Sequence, residues 1–200
     1  HVRSRRQRQM CIRDSQKALA VDGIDVVLLP SEGSSHNLQL LRDGQADVAF
    51  VQGGTAELQP DDPDNLVSLG SLFVEPLWLF YRTDAAERMH NAPRLDSLRQ
   101  LRGWRVNVGS EGSGVPTLIE RLLQANKVEP GSVKLSRLEQ TPATVEFLAG
   151  RLDALVFASA PESLMVQMLL QTPGVQLLDF AQHEAYARRF PFLTLSLIHI

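Results

Sequence analysis

The chain has 200 residues, 44% of them hydrophobic and 22% charged. That composition is ordinary for a globular protein, and the length suffices for one good core or two small lobes. Wholesale disorder, a peptide hormone and a disulfide knot are excluded. Lys and Arg number 20 and Asp and Glu 23, and five of the basic residues are Arg3, Arg5, Arg6, Arg8 and Arg13. From residue 14 onward the chain therefore stands at −8. Such a body argues against a nucleic-acid partner, whose binding draws on cations that neutralise phosphates. The single cysteine, Cys11, excludes an internal disulfide framework and a cysteine-based zinc site. No run approaches the roughly 18 apolar residues that span a bilayer. No apolar stretch follows the Arg-rich front to make a signal peptide.

Residues 1–15 have neither helical nor strand periodicity and read as a disordered or foreign tail, or else as a basic tail for membrane or nucleic acid. Residues 24–29 are β-branched and apolar and read as a buried strand, broken by Pro30 to Ser35. A short helix with Leu38 and Leu41 ends at Gly44, and residues 47–51 make the next strand. Residues 58–65, with Pro60, Pro63 and the acidic Asp61, Asp62 and Asp64, read as a surface loop. Residues 66–82 are apolar and extended. The polar stretch 83–100 has a helical tendency and is the expected seam between two lobes.

The second half opens with a strand at 104–108 and the turn Gly109-Ser110-Glu111-Gly112-Ser113-Gly114. A helix follows with Leu118, Ile119, Leu122 and Leu123 on one face. Val133 and Leu135 mark another strand. Thr141-Pro142 opens a helix as N-cap and first-turn proline, and Gly150 closes it. Residues 153–157 are a strand. Ser159 and Glu162 have capping-box spacing before a helix whose apolar face is Leu164, Met165, Met168 and Leu169. A last short strand is expected at 175–178. Strands alternating with helices mean an α/β fold with a parallel or mostly parallel sheet. A gapless shift of 106 residues also pairs Val27 with Val133, Leu41 with Phe147, Gly44 with Gly150 and Asp47 with Asp153. Two copies of one lobe, or simply two units sharing α/β grammar, explain that repeat.

In open α/β sheets ligands bind beyond the carboxyl ends of the strands. Three such ends carry small polar residues before a helix: Ser31 to Ser35, Ser110 to Gly114, and Ala158-Ser159-Ala160. Each offers free N–H groups, a hydroxyl and the positive end of a helix dipole, which suits a carboxylate or phosphate. Ordinary N-capping is the competing explanation for any one of them. Gln52 ends a strand before Gly53-Gly54, where its amide can fix a carboxylate or bond the local backbone. The glycine turn is neither a Walker loop nor a dinucleotide fingerprint, so no cofactor is expected. His1, His36, His90, His183 and His199 lack helical metal-ligand spacing, and no G-x-S-x-G accompanies His36, which reads as a helix-start residue.

Three blocks together carry a family resemblance. The first runs Gly33-Ser34-Ser35-His36-Asn37, then Leu41, Gly44, Asp47 and Val51-Gln52. The second is Leu101 to Gly109 with Ser113-Gly114. The third is Gly150, Asp153, Ala154 and Phe157 with Ser159, Ala160 and Pro161. In order and spacing over residues 16–194 they resemble the TAXI-type solute receptors of tripartite ATP-independent periplasmic (TRAP) transporters. The chain departs from that pattern at Gly53-Gly54, where a Ser-Asp pair is common, and at Val115, where Thr is common.

The resemblance implies a two-lobe periplasmic-binding-protein type II fold, incomplete at both ends. Residues 16–76 would form part of lobe 1, 77–84 a hinge strand, 85–178 lobe 2, and 179–200 the start of a return to lobe 1. It implies a receptor rather than an enzyme, periplasmic or anchored outside the cytoplasm, that passes a small carboxylate to membrane permease subunits. That ligand would be an organic acid or an amino acid such as glutamate. Ser34, Ser35, Asn37 and Gln52 would line one wall. Ser110, Gly112, Ser113 and Gly114 would hold the carboxylate from the other, with Ser159 and Ala160 nearby. An effector-sensing domain of a transcription regulator shares this fold and is the alternative; an enzyme on it would need an acid–base pair that the sequence does not offer.

Overall fold

Alternating apolar side chains build a sheet that buries both faces. The computed structural model describes residues 14–55, 66–72, 74–129, 131–180, 183–190 and 192–193. Outside them lie Cys11, His1, His199, nearly all of the expected tail, the acidic loop with Asp61, Asp62 and Asp64, and the apolar stretch 195–200. Strands β1 (Leu77–Arg82), β2 (Arg105–Asn107), β3 (Lys134–Ser136), β4 (Ala154–Ala158) and β5 (Val175–Leu177) form one sheet in the order β3-β2-β4-β1-β5. β2 pairs parallel with β3 and with β4, whereas β1 pairs antiparallel with both β4 and β5. The sheet is thus more mixed than the βα alternation implies. β1 precedes the repeating βα units, and an antiparallel neighbour needs no crossover helix.

Helices follow the strands. Residues 14–21 are helical (α1), a helix that no sequence pattern announces. Then come α2 (Ser34–Arg42), α3 (Thr83–His90), a 3-10 turn at Leu98–Leu101, α4 (Val115–Ala125), α5 (Gln140–Leu148), α6 (Leu164–Gln171) and α7 (His183–Arg189). The bounds of α2 and α5 differ by 106 at both ends, and Gly44 and Gly150 both follow with positive φ. The repeat read from the sequence therefore holds in the helices. It does not hold in the strands. Segments 24–29 and 47–51 form no strand among the described residues, with Val27 78% and Val48 69% exposed. An isolated segment without a ladder partner is not a strand, however β-branched it is.

Period-two alternation sorts the core. Leu79 and Tyr81 of β1 and Ala154 and Val156 of β4 face a cluster built with Trp104, Val106, Leu118, Ile119 and Leu122. Trp78 and Phe80, with Leu155 and Phe157, face a second cluster against Phe147, Val166 and Leu169. All four apolar residues expected on the inner face of α4 are buried there. α6 differs from expectation. It starts after Ser163, whose Oγ accepts from Val166 N–H at 3.3 Å, so Ser159 and Glu162 form no capping box. Val166 and Leu169 are its buried residues, while Leu164 lies 72% exposed. α5 likewise starts one residue before Thr141, with Glu139 at the cap position.

Asp153 ties three elements together at the start of β4. It accepts from the Arg105 backbone N–H at 2.9 Å, from Arg105 Nε at 3.0 Å and Nη2 at 2.7 Å, and from Arg88 Nη2 at 2.8 Å. Burial opposes its charge, but the Arg105 hydrogen bonds and charge, with Arg88 behind them, hold its carboxyl below the ordinary value. A depressed folded value means stability that is present above the unfolded carboxylate range, near pH 4, and lost as pH falls through the folded value. Asp153→Asn is expected to lower unfolding stability at neutral pH by about 2 kcal/mol, the scale of hydrogen bonds to a charged group. It should also flatten the loss of stability below pH 4. Urea unfolding at a series of pH values measures both.

Candidate functional site

β2 and β4 are adjacent and parallel, so their carboxyl ends share one edge of the sheet. The turn 109–114 leaves β2 there and leads into α4. Ser159 and Ala160 leave β4 at the same edge. Against this edge pack two loops of the first half, Glu32 to Ser35 and Gln52 to Thr55.

The contacts between the loops are short and specific. Ser35 N–H donates to Gly112 O at 3.1 Å, and Ser35 Oγ donates to Ser113 O at 3.0 Å. Gln52 N–H donates to Ser34 Oγ at 2.9 Å, joining the two first-half loops. Gly33 makes the approach possible. Its φ of 146° is closed to L side chains, and a Cβ there would stand 2.6 Å from Gly112 O. Gly114 does the same from the other wall. A Cβ on it would collide with Thr55 Oγ1 and Gln52 Oε1, so those two oxygens reach the backbone at the start of α4.

The predicted site residues thus fall into two groups. Ser34, Ser35, Gln52, Gly112, Ser113 and Gly114 come together where the loops meet the turn, whereas Ser110 bonds only within the turn among the described residues. Several of their polar groups are already engaged: Ser113 Oγ donates to Ser110 O at 2.8 Å, and Asn37 Nδ2 donates to Phe50 O at 2.8 Å, within the first wall. Ser159 and Ala160 share the sheet edge but bond elsewhere than the loops among the described residues. Ser159 N–H donates to Pro76 O and its carbonyl accepts from Trp78 Nε1, while the Ala160 carbonyl accepts from Ser163 N–H. Ser159 is fully buried, and its Oγ has no hydrogen-bond partner among the described residues.

Sequence reasoning placed Glu32 and Gly33 within the Ser31–Ser35 strand end without giving either a role of its own, and it missed Thr55. The Gly33 signal was present, since a glycine just before a helix reads as a turn. Thr55 carried none, because the preceding glycine pair drew attention as a departure. The glycine turn is braced from outside by Arg137, just beyond β3, which donates to Glu111 and to Glu120 at 2.9 Å each. His36 Nδ1 accepts from Glu32 N–H at 3.2 Å, as a helix-start residue does. Among the described residues no group of three His, Cys, Asp or Glu could hold a metal ion, and no helix is long and apolar enough to cross a membrane. A cavity of about 240 Å³ opens at the opposite end of the sheet, beside Arg82, Asp84 and Gly174, where Arg82 is bound to Asp84.

This is the fold of periplasmic binding proteins. An ancestral arginine-binding protein bound to arginine matches with a TM-score of 0.55 over 84% of this chain and 66% of its own, at 18% identity. The arginine-bound form of truncated ArgBP from T. maritima matches with 0.52 over 83% of this chain and 68% of its own, at 15% identity. An amino acid ABC transporter substrate-binding protein from Streptococcus pneumoniae, bound to L-arginine, matches with 0.50 over 82% of this chain and 61% of its own, at 20% identity. The chain spans about two thirds of the length of these proteins or less. The model of the NMT1-like family matches residues 13–199, so the chain belongs to that family.

Gly33→Ala is expected to destabilise the chain by about 1–3 kcal/mol, the cost of a strained backbone position. It should also speed amide exchange at Ser35, whose N–H would lose Gly112 O. Amide hydrogen exchange resolved by residue measures this; unchanged protection at Ser35 would mean that the loop contact does not form in solution.

Proposed function

We propose that the chain is the solute-capturing region of an extracytoplasmic receptor that binds a small carboxylate and delivers it to a membrane permease. The observation that carries this is the meeting of the Gly33–Ser35 and Gln52–Thr55 loops with the turn at the N-terminus of α4. α4 has eleven residues and no side-chain cap bond at its start. Its first-turn N–H groups therefore offer an uncapped positive end to an anion. Family membership and the arginine-bound proteins of like fold support a solute receptor, and they favour an organic or amino acid as its ligand. The three residue blocks favour the TAXI type of tripartite transporter as the permease it serves.

Capture then works by exchange of partners. Hydroxyl and amide donors from both walls replace water around the carboxylate, and closure of the crevice excludes solvent, so each hydrogen bond counts for more than it would in water. Ser35 bridges the walls in the closed arrangement, and the solute would enter when they part.

Thermal melting of the chain against amino acids and dicarboxylates tests this. A ligand that binds only the folded state at a hundredfold excess over its Kd stabilises by about 2.7 kcal/mol. A carboxylate is expected to raise Tm, and Ser113→Asp, which sets a negative charge at the start of α4, is expected to abolish the shift. Stabilisation by a nucleotide or sugar phosphate and by no carboxylate would point to an enzyme instead.

A further inference from the structure

Three side-chain polar atoms are buried without a hydrogen-bond partner among the described residues: Thr55 Oγ1, Trp104 Nε1 and Ser159 Oγ. Trp104 lies in the core, stacked on His90 and edge-on to Tyr81. Thr55 Oγ1 lies where the Gln52–Thr55 loop meets Gly114, and Ser159 Oγ is buried just beyond the end of β4. Buried hydroxyls are normally bonded, so two orphans at one edge of the sheet need a physical reason.

Thr55 has the more telling position. Its N–H donates to Gln52 O at 3.2 Å, which turns the chain after the Gln52 strand end and brings the side chain over Gly114. Gly114 has no side chain with which to cap α4. Pro116 has no N–H, so Val115 and Thr117 supply the first-turn donors, and Leu118 N–H is the first to bond back, to Gly114 O at 3.2 Å. Thr55 Oγ1 thus sits against an uncapped helix start with its own hydrogen-bonding capacity unused. A hydroxyl there can donate to an anion that also takes the N–H groups of α4. Ser159, fully buried with an unused hydroxyl, leaves the adjacent strand at the same edge.

We infer that Thr55 is a ligand-binding residue, its hydroxyl donating to the carboxylate of a small solute held at the first turn of α4. The inference rests on the solute-receptor reading and deepens it, since it names a contact from the first wall that falls on the departure at Gly53-Gly54. The Thr55 hydroxyl acts here as a contact rather than a structural brace, because it has no hydrogen-bond partner among the described residues.

The test compares the full chain with Thr55→Val and Thr55→Ser by thermal melting titrations. The probes are L-glutamate, L-arginine, succinate and inorganic phosphate. Thr55→Val keeps the shape and removes the hydroxyl. It is expected to leave the ligand-free Tm unchanged or slightly raised, because an unbonded buried hydroxyl is lost. It should weaken the stabilising carboxylate about tenfold or more, on the scale of a hydrogen bond to a charged group. Thr55→Ser should retain affinity within a few-fold. Unchanged affinity in Thr55→Val, with a carboxylate that binds the parent chain, overturns the role of Thr55 alone. A clear drop in ligand-free Tm overturns it too, by showing a structural role. Stabilisation of the parent chain by phosphate, or by none of the probes, removes the receptor reading and this inference together.

Discussion

The parallel pairing of β2 with β4, locked at its start by Asp153, is the constraint on which the site depends. Asp153 holds the backbone and the guanidinium of Arg105 at once, so the first residues of the two strands cannot slip past one another. With the register fixed, the chain leaves both strands at one edge. The glycine turn and Ser159 become neighbours in the sheet although they lie far apart in sequence. A one-residue slip would turn Val106, Ala154 and Val156 away from the core they share and would misplace the turn that starts α4. Arg88 extends the clamp to α3, which packs on β1.

The contact between the loops and the turn is shaped by what is missing. Gly33 and Gly114 lack side chains where the opposite wall comes closest, so backbone meets backbone on one side and side-chain oxygens meet a helix start on the other. The two contacts do different work. Ser35 uses its N–H and its hydroxyl to hold the walls together. At α4 the first-turn N–H groups have no side-chain cap, and the Thr55 hydroxyl has no partner among the described residues. Arg137 is engaged by Glu111 of the turn and Glu120 of α4, so it stiffens the turn rather than supplying a free cation. An anion held here would be held mainly by uncharged donors and the helix dipole.

Much of the fold was legible in the sequence, and the reasons differ by element. The helices at 34–42, 115–125 and 140–148 follow from apolar spacing and their closing or opening turn residues, which are local signals. β4 follows from a short apolar run whose two faces are both buried. The insertion of β1 between β4 and β5 was hidden, because neighbour order is a long-range property that no local pattern encodes. Segments 24–29 and 47–51 carry the same local signal as β4 and yet are unpaired among the described residues, since a strand exists only through its partner. The start of α6 shows local competition: Ser159 and Ser163 both have capping chemistry, and the later serine caps the helix while the earlier one lies buried at the strand end. At the site, residue type and strand-end position marked Ser35, Gly112, Ser113 and Gly114. Their mutual hydrogen bonds, and the place of Thr55 above Gly114, depend on two loops far apart in sequence and could not be read from either alone.

Solute capture at the start of α4 is tested most directly by amide NMR. The chain, labelled with nitrogen-15, would be titrated with whichever amino acid or dicarboxylate most raises its Tm. Saturable shifts should be largest at Val115, Thr117 and Thr55, with Ser35 and Ser113 next as the walls adjust. Shifts gathered instead around Arg82, Thr83 and Gly174, at the cavity on the far end of the sheet, would place the ligand elsewhere and contradict the crevice as its site.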